Sequence, residues 1–262
     1  MIRSLNTAAS GMEAQEFEID VIANNLANVN TTGFKRSRAE FQDLFYQEIR
    51  AARGSADGKE QGSPAPLEVG QGTRAIATQK NFSNGALVST GNQLDIAIEG
   101  QGFIRVNQPD GTQAYTRSGM LKIDADGRLT TAEGKTVDPP IEIPAEATNV
   151  IFEPDGTVKI GLSGEATPVE VGKLELAQFV NPGGLKSLGH NLFMETEASG
   201  EPINGTPSED GMGSIQQGMI ESSNVEVIEE MISLIAAQRA YEINSRVIRA
   251  SDEMLRETAS IR

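Results

Sequence analysis

Apolar residues recur every seven positions near the N-terminus, where Leu5, Met12, Ile19 and Leu26 form one row. The intermediate positions of this repeat are filled by Ala8 or Ala9, Glu16, and Ile22 or Ala23. This spacing predicts a helix from Ser4 to about Ala27 with a coiled-coil-like seam. Gly11 lies inside it and costs about 1 kcal/mol of helix propensity relative to alanine. We therefore expect Gly11 to permit the close approach of another backbone.

A second, longer helix is predicted near the C-terminus. Ser223 and Glu226 have the Ser-x-x-Glu spacing of a capping box, which marks the start of a helix. Apolar residues then follow two adjacent rows: Val227, Met231, Leu234, Tyr241, Ile248 and Leu255, and Ile228, Ile232, Ile235, Ile243, Val247, Met254 and Ile261. An apolar face this wide exceeds what a two-stranded seam requires. We expect this helix to contact more than one neighbour.

Between residues 82 and 219 the pattern changes to short alternating or β-branched runs. These runs, at residues 94–98, 102–106, 119–123, 150–152, 157–160 and 174–180, predict strands. Asp-Gly pairs at 110–111, 126–127 and 155–156 lie between apolar runs, as hairpin turns do. The fold class predicted is α+β, with long terminal helices that form a coiled-coil-like inner domain and a central, mostly β domain.

The segment between the first helix and the β domain contains little that could be buried. Residues 51–72, AARGSADGKEQGSPAPLEVGQG, are rich in Gly, Ala, Ser, Pro and charge. This composition predicts a linker, or an insert whose order depends on a partner. Just before it, Phe41, Leu44, Phe45 and Ile49 have helical spacing and predict a short amphipathic helix.

Composition narrows the function classes. The 262 residues suffice for a large core, and the net charge of −15 argues against nucleic acid or an anionic membrane as the main partner. Cysteine is absent, which excludes disulfides, thiolate metal sites and a cysteine nucleophile. The N-terminus lacks the apolar run of a secretory signal, and no segment has the length of a membrane span. We expect a soluble protein, exported, if at all, by another route.

Candidate catalytic and ligand motifs are weak. Residues 134–136, Gly-Lys-Thr, lack the earlier glycine of a phosphate-binding loop. Residues 124–127 do not fit a calcium loop, and a strand rather than a helix follows Gly100-Gln101-Gly102. His190, the single histidine, lies in a turn-rich context without a nucleophile motif, and Glu229-Glu230 and Glu195/Glu197 suit a solvated face. We predict no enzyme activity, cofactor or metal.

Long motifs at both ends of the chain resemble one known family. Residues 5–12, LNTAASGM, with 22–35, IANNLANVNTTGFK, are similar to the N-terminal signature of the bacterial flagellar axial proteins, the rod and hook family. The closing segment of that family is similar to residues 221–226, 230–232, 238–242 and 251–255. Residues 91–103, 115–119 and 179–185 extend the resemblance over nearly the whole chain. Length and the insert-like stretch after Tyr46 look most like the distal-rod branch.

The resemblance implies a structural subunit of the flagellar rod that self-assembles helically into a rigid hollow drive shaft. For this chain, the resemblance implies a helical inner domain formed by residues 1–30 and 224–262 and an outer β domain of residues 82–223. Residues 31–81 would connect the two, with a rod-type insert around 46–72. The implied partners are further copies of the chain, proximal rod subunits, hook subunits, the surrounding outer-membrane and peptidoglycan ring proteins, and the type III export apparatus. The implied location is the basal body, in the rod crossing the periplasm, after export without a cleaved signal peptide. Neither nucleic-acid binding nor membrane insertion is expected.

Two alternatives stay open. One is a proximal rod or hook-like axial subunit, which the insert would distinguish from a distal one. The other is a periplasmic carbohydrate-binding or hydrolytic β protein with helical ends, for which wall-fragment binding dependent on His190 would be the sign.

The resemblance and the apolar rows together predict which residues form the assembly surface. The predicted self-assembly interface is Leu5, Ala8, Gly11, Met12, Ile19, Ile22, Asn24, Asn25, Leu26, Asn28, Val227, Ile228, Met231, Ile232, Leu234, Ile235, Arg239, Tyr241, Ile248 and Leu255. The rod-specific insert is represented by Tyr46, Ser55, Gly58, Pro64, Pro66 and Val69. Asn28, Asn30 and Gly33 are expected to end the first helix. Asn25, beside the apolar seam, is hypothesised to set the register between subunits.

Overall fold

The computed structural model describes residues 2–50, 66–162, 167–209 and 211–260. Two helices are present in these ranges, α1 (Ile2–Ala27) and α2 (Val227–Ser260). The first strands are β1 (Ser37–Asp43), β2 (Tyr46–Arg50), β3 (Leu67–Gly70), β4 (Thr73–Lys80), β5 (Leu87–Ser89), β6 (Ile96–Glu99), β7 (Phe103–Asn107), β8 (Gln113–Thr116), β9 (Leu121–Ile123) and β10 (Leu129–Thr131). The remaining strands are β11 (Thr136–Val137), β12 (Ala147–Phe152), β13 (Thr157–Leu162), β14 (Val169–Lys173), β15 (Leu176–Gln178), β16 (Lys186–Gly189), β17 (Leu192–Met194), β18 (Ile203–Gly205), β19 (Ser214–Gln217) and β20 (Met219–Glu221).

The chain divides into two compact units. The helical unit contains Met1–Leu26, Ser37–Gln79 and Glu226–Arg262, and the β unit contains Ala27–Arg36 and Lys80–Val225. The predicted connecting segment of residues 31–81 is thus shared between the two units. The two terminal helices and the strand-rich middle predicted from the sequence are both present. Within the described ranges, neither helix combines the length and apolar content needed to cross a bilayer.

The β unit is built around a nine-stranded antiparallel sheet, counting the described residues. Its strands follow the order β16-β17-β8-β7-β11-β10-β9, and β15 pairs with both β7 and β18. A three-stranded sheet, β12-β13-β14, and the pairs β19-β6 and β20-β5 complete the unit. Its core contains Ile96, Ile98, Ile104, Leu121, Leu129, Ile141, Leu174, Leu176 and Ile215, which are almost fully buried.

The three predicted Asp-Gly hairpins are confirmed. They join β7 to β8, β9 to β10, and β12 to β13, and each of these strand pairs is antiparallel. Gly111, Gly127 and Gly156 have φ of 80°, 79° and 84°. An L-residue rarely adopts this left-handed conformation, and glycine does so without steric cost. The turn chemistry was therefore readable from two residues at each site.

An aromatic cluster fills a second core in the β unit. Phe82, Phe103, Phe193, Phe179 and Tyr115 meet edge to face, with ring centroids 4.8 to 6.0 Å apart. This edge-to-face arrangement is one that the ring quadrupoles favour. The rings come from five separate stretches of chain, so the cluster ties the sheet to the segment that enters it.

Three charged residues form what we call the ionic cluster, Lys35, Arg117 and Glu221, inside the β unit. Lys35 Nζ lies 2.7 Å from Glu221 Oε1, and Arg117 Nε lies 2.9 Å from Glu221 Oε2. Their exposed fractions are only 1, 3 and 0 %. Gly85 N also donates to Glu221 Oε1, at 2.8 Å. Buried charges are tolerated when they are paired and hydrogen-bonded in this way.

The two cations of the ionic cluster also hold backbone carbonyls. Lys35 Nζ donates to the carbonyl oxygen of Ser83 at 2.8 Å. Arg117 donates to the carbonyl oxygens of Ile98, Gly100 and Gly102 and to Asn84 Oδ1, at 2.7 to 3.3 Å. The cluster therefore joins the first residues of the β unit to its last strand and to the turn between β6 and β7.

Burial and charge act in opposite directions on the ionic cluster. Burial alone would raise the pKa of Glu221, but the charges of Arg117 and Lys35 and the hydrogen bonds they donate outweigh it, so the pKa is lowered. Burial lowers the pKa of Lys35, and the charge of Arg117 adds to this, while Glu221 opposes it. One anion thus compensates two buried cations, which makes Glu221 the residue on which the cluster depends.

The predicted short helix at residues 41–49 is wrong. Residues 37–43 and 46–50 form β1 and β2, which pair with β4 and β3. Tyr46 lies opposite Gly70 and Gln47 opposite Val69, and Leu44 N donates to Gly72 O at 2.8 Å. Helical spacing over so few residues is weak, because a helix of fewer than about 12 residues is marginal without packing. Strand pairing supplies these residues with backbone partners instead.

The predicted capping box does not form, although the helix it announces does. The α2 helix begins at Val227, and Ser223 Oγ is buried without a hydrogen-bond partner in the described part of the chain. The Asn224 side chain instead accepts from Arg36 N at 2.7 Å and donates to the carbonyl oxygens of Asn81 and Ser83. These bonds hold residue 224 outside the helix. Glu229 and Glu230 in the first turn of α2 suit the positive end of the helix dipole.

Candidate functional site: the paired terminal helices

Helices α1 and α2 lie side by side in the helical unit and touch through small and polar residues. Ser4 Oγ lies 3.4 Å from Ser251 Oγ, and Asn25 Nδ2 lies 3.3 Å from Glu230 Oε2. Between them, a Cβ added to Gly11 would lie 2.9 Å from Asn244 Nδ2. We call these three contacts the polar seam: Ser4 with Ser251, Gly11 with Asn244, and Asn25 with Glu230. Along the polar seam the residue numbers rise on α1 by seven and then fourteen, while those of their partners on α2 fall by the same amounts. The two helices are therefore antiparallel.

The polar seam differs by one residue from the seam predicted on α1. Leu5, Met12 and Leu26 directly follow the residues that contact α2, and they are half-buried. A seven-residue repeat describes the predicted apolar row and the neighbouring row of the polar seam equally well, because neighbouring rows on a helix have the same period. Only contact with the partner helix tells them apart. At Gly11 the nearest neighbour is the side chain of Asn244 and not, as expected, another backbone.

Asn25 is deeply enclosed in the polar seam, with 1 % of its surface exposed, the same fraction as its partner Glu230. Its Nδ2 donates to Ser37 O at 2.8 Å as well as to Glu230, and its Oδ1 accepts from Ser37 N at 2.9 Å. The amide therefore satisfies both backbone groups of the first residue of β1. These bonds lie within one chain. The hypothesis that Asn25 sets the register between subunits stays a prediction.

Helix α2 leaves a wide apolar face uncovered. Ile228, Ile232, Ile235 and Ile243 follow helical spacing, and between 49 and 74 % of each is exposed. We call these four residues the apolar face. Two residues along a helix turn it by about 200°, so Ile228 and Ile232 lie opposite Glu230 and the polar seam. Monomeric proteins rarely expose apolar patches of this kind unless something binds there.

The predicted interface residues fall into three groups. Buried ones are Ala8, Ile22 and Asn25, and half-buried ones are Leu5, Gly11, Met12, Ile19, Leu26, Asn28, Leu234, Ile248 and Leu255. Exposed ones are Asn24, Val227, Ile228, Met231, Ile232, Ile235, Arg239 and Tyr241. In the insert, Tyr46 and Pro66 are exposed and Val69 is half-buried, while Ser55, Gly58 and Pro64 lie outside the described residues.

The sequence reasoning missed the α2 side of the polar seam. The sequence predicts a solvated Glu229-Glu230 pair, yet only 1 % of the surface of Glu230 is exposed. A signal for it was available, because Glu230, Ala237, Asn244 and Ser251 are spaced by seven residues and three of the four are buried. Polar and small residues are easily overlooked in a repeat when larger apolar residues repeat beside them.

The candidate catalytic and ligand motifs of the sequence lie in ordinary turns. Gly134 has φ of 81° in the turn between β10 and β11, and Gly100 and Gly102 lie in the turn between β6 and β7. His190 is exposed at the turn between β16 and β17, with Nδ1 2.6 Å from Glu133 Oε1. Over the described ranges, no three His, Asp or Glu side chains converge as metal ligands would.

Comparison with known proteins identifies the family. Residues 5–35 match the family described as "Flagella basal body rod protein". Residues 97–160 match the family "Flagellar hook protein FlgE/F/G D1 domain", and residues 216–261 match "Flagellar basal body rod FlgEFG protein C-terminal". The two end matches contain most of α1 and α2.

Full-length relatives carry the same family name. The flagellar basal-body rod protein FlgG of Borreliella burgdorferi is 48 % identical over 257 residues, 97 % of each chain. Those of Caulobacter vibrioides and Bacillus subtilis are 43 and 38 % identical over the whole of both chains. The chain belongs to the FlgG family of flagellar basal-body rod proteins and is a structural subunit of the flagellar rod.

Proposed function

We propose that this subunit polymerises with copies of itself into the distal rod, and that the apolar face of α2 is a main contact between copies. The uncovered apolar face carries the proposal. An isoleucine that becomes fully buried stabilises a contact by about 1.5 to 3 kcal/mol. Four of them on each subunit contribute several times this amount, and the contribution is repeated at every contact along a helical polymer.

The arrangement of the helix pair supports this use of α2. Because α2 turns Glu230, Asn244 and Ser251 toward α1, the isoleucines of the apolar face remain available to another chain. The family match supports further partners: proximal rod subunits at one end of the polymer, hook subunits at the other, and the ring proteins around it. It also supports delivery by the flagellar type III export apparatus to a rod that crosses the periplasm and surrounds the export channel.

Electron microscopy of the purified full chain at rising concentration tests the proposal. We expect straight, hollow tubes to appear above a threshold concentration, because each added subunit buries the apolar face of its neighbour. Curved tubes would indicate a hook-like subunit instead. A chain that stayed monomeric at every concentration, with α1 and α2 helical by circular dichroism, would contradict self-assembly through this surface.

Deleting Ser55–Pro64 is expected to leave polymer formation intact and to make the tube curved or less stiff. The deletion removes insert residues while keeping β2 and β3, which pair across the insert. The persistence length of the tubes, measured in micrographs, is the readout. A Gly/Ser segment of the same length at these positions separates the effect of sequence from that of length. Tubes as straight and stiff as those of the unchanged chain would rule out a distal-rod role for the insert.

A further inference from the structure

The three contacts of the polar seam fit only one alignment of α1 on α2. Moving from Ser4 to Gly11 on α1 corresponds to moving from Ser251 to Asn244 on α2, and from Gly11 to Asn25 corresponds to Asn244 to Glu230. A pair of apolar helices with a seven-residue repeat can often shift by one repeat and bury similar side chains, whereas a polar residue in the seam specifies register. Here every described contact of the seam involves a polar group or the glycine beside one.

Shifting the helices by one repeat would bring incompatible groups together. In one direction Glu230 would lie opposite Glu18, so that two carboxylates meet where Glu230 is now buried against an amide. In the other direction Asn25 would lie opposite Ala237, which offers no hydrogen bond. Both shifts leave a buried polar group without its partner, which is costly.

Asn25 also connects the helix pair to the adjoining strand. Its amide binds both backbone groups of Ser37, at 2.8 and 2.9 Å, while it donates to Glu230. One side chain thus contacts both the first residue of β1 and the helix α2. Asn28, in contrast, makes a local contact in which Thr31 Oγ1 donates to its Oδ1 at 3.2 Å.

We infer that the Asn25–Glu230 hydrogen bond, anchored on Ser37, fixes the register of α1 on α2 within one chain. Asn25 is a positioning residue: it determines which residue of α2 lies opposite each residue of the α1 seam. A shift of seven residues moves α2 by about 10 Å along α1. Such a displacement would also move the apolar face of α2 by the same distance relative to the rest of the helical unit. The inference concerns a single chain and does not depend on polymerisation.

Engineered disulfides can report the register, because the chain has no cysteine of its own. The native pair is Ser4→Cys with Ser251→Cys, and the shifted pair is Ser4→Cys with Asn244→Cys. A disulfide requires Cα atoms within about 7 Å, so the shifted pair cannot close in the native register. Each pair is oxidised at low protein concentration, and the intramolecular disulfide is measured by gel mobility of the monomer.

The decisive comparison uses the double variant Asn25→Leu/Glu230→Leu, which removes both polar groups together. We expect the ratio of shifted to native cross-link to rise about tenfold, as loss of a buried hydrogen bond to a charged group allows. The matched control Asn6→Leu/Glu253→Leu makes the same change at exposed positions of the two helices. It should retain native cross-linking alone.

Native cross-linking alone in Asn25→Leu/Glu230→Leu would overturn the inference. If that variant lost its helical circular dichroism, Asn25→Ser would decide, because serine is too short to reach Ser37 and Glu230 together. A raised ratio of shifted to native cross-link in Asn25→Ser would support the inference, and an unchanged ratio would overturn it. All these readouts come from monomers, so failure of the proposed polymerisation would leave them unaffected.

Discussion

The Glu221→Gln variant is expected to lose about 3 to 5 kcal/mol of unfolding free energy, the usual cost of removing one partner from a buried ion pair. The variant keeps the size of the side chain but removes the single anion of the ionic cluster. Lys35 and Arg117 would then remain buried, 1 and 3 % exposed, without a compensating charge. The added amide N–H groups would also face donors, because Lys35, Arg117 and Gly85 all donate to this carboxylate.

Hydrogen exchange measured by mass spectrometry locates this loss. Peptides from the β unit should exchange faster in Glu221→Gln, whereas peptides from the helical unit should change less. The control is Glu201→Gln, an exposed carboxylate of the same unit, which should shift stability by no more than about 0.5 kcal/mol. If the β unit were equally protected from hydrogen exchange in Glu221→Gln and in the unchanged chain, the ionic cluster would make no net contribution to the unfolding free energy.

The same variant gives a test of pH dependence with a defined sign. The pKa of Glu221 is lowered in the folded protein, so the unfolded chain binds the proton more readily. Its contribution to stability is therefore present above the ordinary glutamate pKa of about 4.3 and is lost as pH falls toward the lowered folded value. The difference in unfolding free energy between the unchanged chain and Glu221→Gln should shrink from pH 7 to pH 3. A constant difference would contradict the lowered pKa.

Replacing Ile228 and Ile232 by aspartate is expected to abolish polymerisation while leaving the monomer folded. Both residues belong to the apolar face and are 74 and 63 % exposed, so their loss removes little that one chain needs. Losing two buried isoleucines from a subunit contact costs about 3 to 6 kcal/mol, which raises the concentration needed for assembly by more than about 100-fold.

Sedimentation of the polymer measures that threshold concentration, and circular dichroism checks the helices. The matched control is Gln238→Asp, which adds a charge at an exposed position of α2 without removing apolar surface. It should polymerise at nearly the normal concentration. Normal assembly of Ile228→Asp/Ile232→Asp would remove the apolar face from the list of subunit contacts, and the polar seam should be unaffected in either case.

Local signals in the sequence were sufficient for part of this fold. The repeat of Leu5, Met12, Ile19 and Leu26 located α1, and each Asp-Gly pair located a hairpin, because helix periodicity and turn chemistry act over a few residues. The exposed rows of α2 were also visible as an excess of apolar residues over what one neighbour could cover.

Contacts between distant residues could not be predicted in this way. Asn25 and Glu230 are 205 positions apart, and Lys35 and Glu221 are 186 apart. The seven-residue spacing with Ala237, Asn244 and Ser251 marks Glu230 as part of a row, but only the folded chain shows that Asn25 is its partner. The helix wrongly predicted around Phe45 failed for a related reason, because pairing of β2 with β3 across the insert is also nonlocal.

The ionic cluster also affects when the β unit can fold. A chain that emerges from its N-terminus presents Lys35 and Arg117 long before Glu221, which ends the last strand of the unit. Until that carboxylate arrives, closing the interior would bury two cations with no anion, which is strongly unfavourable. Premature folding is thereby disfavoured until nearly the whole chain has been released. Such a delay suits the delivery proposed above, in which the export apparatus passes the subunit to the growing end of a polymer.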